Sequence, residues 1–411
     1  MDVMLHLAFG CSLEKCCLRT SILAGLAACL IAAGSAGDGL AAGNTGPASP
    51  APGRDGMPFY VGTYTGEGGA EGIYAATLLP DGRLDGLRLA ARSVNPSFLA
   101  LHPSGRFLYA ANEVGEFEGR RTGFISAFRI EADGGLTPLN QAASGGEGPC
   151  HLAVDPGGSL LAVANYGGGS VAVLRIRDDG SLGPQSNVYP HQGSGPNSRR
   201  QEAPHAHCVN FDPFRPLLLA ADLGIDQVRV YVPDPAGVTL KPGQPEALLL
   251  PPGSGPRHLD FSPDGRFVYV VNELTSTVSV FARTRENFHT PVQTVSTLPA
   301  GTTIQNHTAE IQASPDGRTV YASNRGHDTI AVLRVSDPSG TLELVQNHPV
   351  GGSTPRSFAL APGGHWLVAA AQRSDLLTVH RVDPETGRLA STGASVAVPR
   401  PVCVLFVPAQ R

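Results

Sequence analysis

The chain has 411 residues, a formal net charge of −5 and a sequence pI near 6.2. That balance leaves no basic footprint for nucleic acid, and Lys241, the one lysine beyond the N-terminal region, is poorly placed for Schiff-base chemistry. With 50 Gly, 35 Pro and no helix-period amphipathic segment after the first forty residues, the composition suits many short strands and turns and a small-molecule partner.

Lys15 and Arg19 precede an apolar run from Ser21 to Ala36, and Gly34-Ser35-Ala36 and Leu40-Ala41-Ala42 resemble processing sites. This pattern predicts a signal peptide over residues 1–42 and export, to the periplasm in a bacterium. The run is short of the roughly 20 apolar residues a membrane span needs. Leu26-Ala27-Ala28-Cys29 offers an alternative lipoprotein anchor at Cys29, disfavoured by the apolar Leu30-Ile31 that follows. Residues 43–57, rich in Gly, Ala and Pro, read as a flexible linker.

From 58 to 411 the sequence predicts one domain. PFYVGTYT (58–65) and GIYAATLLPDGRL (72–84) are strands, and a repeated unit follows, clearest in GPRHLDFSPDGRFVYVVNE (255–273). There Leu259 and Phe261 alternate with polar residues, Ser262-Pro263-Asp264-Gly265 supplies a tight turn, and Phe267–Val271 is a β-branched and aromatic run. Five further copies occur at 95–113, 148–166, 203–223, 306–325 and 354–373. Their pre-turn prolines (103, 156, 213, 263, 315 and 362) recur about every fifty residues. Each copy is followed by a third β run, such as SVAVLRI (170–176), and a weaker fourth. Four antiparallel strands per repeat predict propeller blades. RPVCVLFVP (400–408) is an opening strand without partners, so the expected fold is an all-β, seven-bladed β-propeller closed by pairing of the N- and C-terminal strands. One long connection, residues 185–204, breaks the rhythm, and long loops in compact domains are usually functional.

Because each hairpin turns at one end, the residues flanking it gather at the other. This places Arg257 and His258 beside Asn272 and Glu273, and His205 and His207 beside Asp222. It also groups Cys150 with Tyr166, Glu310 with Asn324 and Arg325, and Arg356 with Arg373. Asparagines at strand ends commonly only cap turns, but a rim of Glu, His and Arg demands mutual pairing or an anionic ligand. His205 and His207, at alternate positions of one strand with Asp222 nearby, leave a metal site open as an alternative. Cys150, Cys208 and Cys403 sit in predicted strands as small apolar fillers. Signature motifs of serine hydrolases, zinc proteases and P-loop enzymes do not occur in the sequence.

Taken together, GSGPNSRRQEAPHAH (193–207), Asp222-Leu223-Gly224, GPRH (255–258), Asn272-Glu273-Leu274, NRGH (324–327) and Pro401–Phe406 make the chain resemble the lactonase family of seven-bladed β-propellers over about 58–408. The resemblance implies hydrolysis of a sugar lactone, of the 6-phosphogluconolactone or glucono-lactone kind, without a cofactor or metal. It implies catalytic roles for His205 or His207, Arg257 and Glu273, with Glu273 or a histidine as base, and a substrate-holding role for Arg325; the hairpin-end grouping adds Asn272, Asp222, His258 and Arg356 to the expected substrate-binding rim. A carboxymuconate-type cycloisomerase and a non-catalytic exported binding propeller are the alternatives.

Overall fold

The computed structural model describes residues 56–408 apart from 67–68 and 285–286. The predicted signal peptide, Cys29 and the linker up to residue 55 lie outside the described residues; Met57, assigned to the linker, begins the first strand. No helix among the described residues is long and apolar enough to cross a membrane.

Seven four-stranded antiparallel sheets follow the chain in order. Their innermost strands are Pro96–Leu101, Pro149–Val154, Ala206–Phe211, Pro256–Phe261, His307–Ala313, Pro355–Leu360 and Pro401–Phe406. Each contacts the next, and the last contacts the first, so the ring is closed. The closing blade takes its inner strand from the C-terminus: Pro401–Phe406 pairs with Met57–Thr63, which pairs with Gly72–Leu78 and then Leu84–Arg92. In this seam Phe59 opposes Phe406, their ring centroids 5.2 Å apart.

Both faces of each blade are covered by its neighbours, so second strands such as Leu160–Asn165 and Phe267–Asn272 read as continuous, fully buried and mainly apolar runs rather than alternating ones. In the strand Leu160–Asn165, Leu161 and Val163 pack toward the preceding blade with Tyr109 and Ile125, while Leu160, Ala162 and Ala164 pack toward the following one with Val209 and Tyr231. Tyrosine hydroxyls tie blade to blade: Tyr60, Tyr109 and Tyr321 donate to the carbonyls of Gly134, Gly180 and Gly387 at 3.1, 3.0 and 2.7 Å.

The inner strands share a defect. Where Pro256 opposes Asn272 and His258 opposes Val271, Arg257 has no partner and forms a β-bulge. The same bulge isolates Ser97, Cys150, His207 and Arg356 in four other blades, and a wider one isolates Ala309 and Glu310. An extra residue in one strand re-aims its side chain; here it breaks the in-out alternation at one height around the ring. His207 therefore stands in register with Arg257, and His205 precedes its strand altogether. The bulge overturns the expectation that the two histidines share a face.

Candidate active site

At the hairpin-open end of the ring lies a cavity of about 730 Å³. Bulge residues Cys150, His207 and Arg356 reach it from the inner strands, and Tyr166, Glu273 and Arg325 from the ends of second strands. The turn after Arg325 needs Gly326 (φ 117°), since a Cβ there would lie 2.3 Å from the Gln305 carbonyl oxygen.

Glu273 is the electrostatic centre. Its Oε2 lies 2.8 Å from Arg325 and 3.0 Å from Arg257 Nε, and its Oε1 accepts from Arg200 at 2.6 Å. Burial would raise this carboxyl, but Arg325, Arg257 and Arg200 together hold it far below the usual range. Arg257 is 2% exposed and lies under the cavity rather than in its wall, donating to the Ala309 carbonyl at 2.9 Å and pointing at His258 Nε2 at 3.2 Å.

His207 is buried against the cavity floor. Its Nδ1 has no hydrogen-bond partner among the described residues. Burial, with Arg257, His258 and Arg356 nearby, pushes its pKa well below that of free imidazole, so the ring is neutral at pH 7. His307, also in the wall, likewise has a buried Nδ1 without a partner. Opposite them Tyr64 donates to Glu113 Oε2 at 2.7 Å, and Arg356 lies over the Tyr64 ring at 5.3 Å. Among the described residues neither Arg356 nor Arg373 has a carboxylate partner, and both line the cavity. The wall thus carries four arginines (200, 325, 356 and 373) against Glu113, Glu273 and Asp328, with Arg257 behind it: a site biased toward anions.

The other predicted site residues lie elsewhere. His205 is outside the cavity lining, stacked on Tyr166 at 4.5 Å with its ring nitrogens facing the Tyr166 carbonyl and Glu202. Asp222 is fully buried and spent on His191 Nδ1 (2.6 Å) and the amides of His205 and Gly224. Its carboxylate meets neither predicted histidine ring, and no cluster of three metal-ligating side chains occurs among the described residues. Asn272 ties Thr277 and Ser279 together at the strand end, as a turn-capping residue does. His258 lies below the cavity, its Nδ1 3.0 Å from Glu310.

The long connection proves shorter than expected, because residues through Pro190 belong to a fourth strand. Its remainder is fixed by Gln201, fully buried, which donates to the Leu223 carbonyl and Asp226 at 2.9 and 2.8 Å and so delivers Arg200 to Glu273. Reading the residues one by one missed Arg200, Tyr64, Glu113 and His307. Glu113 had a signal, since it follows Asn112 as Glu273 follows Asn272 in the repeat.

The family described as "Lactonase, 7-bladed beta-propeller" matches residues 58–406. The chain belongs to the seven-bladed β-propeller lactonase family. This lactonase-family chain is 37% identical over 353 residues to a Bacillus subtilis protein named 6-phosphogluconolactonase, across 85% of this chain and 97% of the other. A Formosa agariphila protein of the same name is 32% identical, across 80% and 94%. Among solved structures, the Pseudomonas aeruginosa periplasmic gluconolactonase superposes with a TM-score of 0.81 at 37% identity, covering 87% of this lactonase-family chain and all of the other.

Proposed function

We propose that this cavity hydrolyses a sugar lactone of the glucono type, with His207 as the base that activates water. The observation carrying this reading is a neutral imidazole in the lining of a cavity walled by guanidinium groups. Glu273 is too weakly basic for that role, because three arginines stabilise its charged form; its part is to hold Arg200 and Arg325 in place. As water adds to the lactone carbonyl, negative charge grows on the carbonyl oxygen, and fixed cations in a confined site stabilise that charge more than they stabilise the ground state. Arg325 and Arg356 are positioned for this, while Arg373 at the rim suits an anionic substituent such as a phosphate. His207 then returns its proton to the ring oxygen as the C–O bond breaks, leaving the open-chain acid.

The names of the Bacillus and Pseudomonas relatives support this substrate class. The N-terminal pattern and the periplasmic relative support export to the periplasm, where an unphosphorylated lactone is the more accessible substrate. The test is acid release by the purified protein, followed in a pH-stat, from glucono-1,5-lactone and its 6-phosphate. Turnover above the spontaneous rate is expected, with His207→Gln lowering kcat about 10²–10⁴-fold. No acceleration of either lactone, or an unchanged kcat in the variant, refutes the reading.

A further inference from the structure

Beneath the cavity, on the propeller axis, lies a second space of about 380 Å³ to which all seven inner strands contribute. The wide bulge in His307–Ala313 turns Glu310 into it, and His258 stands between Glu310 and Arg257. Arginine nitrogens only donate, so the 3.2 Å contact from Arg257 requires His258 Nε2 to accept, which leaves the ring proton on Nδ1 to be donated to Glu310 Oε1 at 3.0 Å. Glu310 Oε1 also accepts the Ile311 amide at 3.0 Å. The result is a hydrogen-bonded run from Glu310 to His258 to Arg257, continued by the Arg257–Glu273 ion pair and ending on Arg200 and Arg325 in the cavity wall.

We infer that Glu310 and His258 are positioning residues for the reaction, fixing Arg257 from below so that Glu273 presents Arg200 and Arg325 to the substrate. The inference rests on the lactonase reading for its kinetic consequence but not for its structural one. Arg257 is buried without a carboxylate other than Glu273 within ion-pair distance among the described residues, and its Nη1 donates to the Ala309 carbonyl and to His258. The orientation of His258 is thus set by Glu310, and that of Arg257 partly by His258. Burial raises the Glu310 carboxyl to about 7, opposed by Arg257 and the Ile311 amide. The other titratable or charged groups facing this pair are Asp260 on the His258 strand, Cys208 and Cys403 from other inner strands, Arg325 and Arg356 beside His258, and the rings of His151 and His207, 5.0 and 5.2 Å from that of His258.

The experiment compares wild type with Glu310→Gln, pairing kinetics with ¹⁵N NMR of histidine-labelled full-length protein. In wild type the His258 ring is expected neutral and protonated on Nδ1 from pH 6 to 8, and kcat is expected to fall as pH drops through about 7. Glu310→Gln should lower kcat about 10–100-fold at pH 8, the size of effect a small misplacement of a reacting group produces, with KM within threefold and the limb near pH 7 abolished. A kcat and pH profile within twofold of wild type, in a variant with an unaltered circular dichroism spectrum, overturns the inference. So does an Nε2-protonated or cationic His258 at pH 7, a result obtained from wild type even if Glu310→Gln does not fold. If wild type hydrolyses no lactone, the proposed function falls by itself, and the NMR tautomer alone decides the positioning chain.

Discussion

Replacing Glu273 with Gln removes the carboxylate that Arg200, Arg257 and Arg325 share at 2.6, 3.0 and 2.8 Å, with Glu273 itself 4% exposed. At an effective dielectric of about 20, one such contact contributes roughly 4 kcal/mol of Coulomb energy. Desolvation offsets much of this, and truncating one member of a buried ion pair costs about 3–5 kcal/mol. For a folded body of this size, unfolding entropy near 2 cal/mol/K per residue converts that loss into a fall in Tm of about 4–7 °C. Turnover should fall more than affinity for an anionic lactone does, because the arginines lose their anchor while the cavity becomes more positive. Thermal unfolding by calorimetry and initial rates on both lactones measure the two effects. A Tm within a degree of wild type together with kcat within twofold would refute the central role given to this carboxylate.

Arg356→Met removes a guanidinium that has no carboxylate partner among the described residues; losing charge-assisted hydrogen bonds of about 1.5–3 kcal/mol should lower kcat/KM roughly 10–100-fold in steady-state assays, and an unchanged kcat/KM dismisses its contact with substrate. Glu310, raised to about 7 by burial, favours folding while protonated, so its contribution is full below the unfolded value of 4.5 and is lost as pH rises through 7. Denaturant melts of Glu310→Gln should therefore show a stability gain over wild type at pH 8 that vanishes by pH 5, on the order of 3 kcal/mol before any repacking. His348 and His380 join neighbouring blades through a 3.0 Å contact, and burial and His348 lower His380 to about 4. Its contribution is present above the unfolded value of 6.5 and is lost as pH falls toward 4, so His380→Leu should flatten the loss of Tm between pH 6.5 and 4.5; an equally steep loss in the variant would assign acid lability elsewhere.

Much of this protein is legible in one dimension. The turn prolines near fifty-residue spacing, the Asp-Gly and Gly-Gly reversals and the orphan strand at 400–408 specify blades, their number and the way the ring closes, because turn chemistry and strand patterning are local properties. The same reasoning placed Arg257, Glu273, Arg325 and Arg356 at one end, since a hairpin of fixed length returns both its ends to one side.

What the linear order left open is which side chains of a shared rim face one another. His205 and His207 differ by two residues, and only the bulge opposite Asp222 and Ala221 directs His207 inward while His205 stacks outside on Tyr166. Asp222 is an acidic residue in a site-like position, yet His191, brought over by the preceding blade's outer strand, takes its side chain. Arg200 joins Glu273 from 73 residues away through a loop held by Gln201. Bulge register, burial and ion-pair partners depend on contacts between blades, and a local pattern carries no information about contacts that form only when the ring is closed.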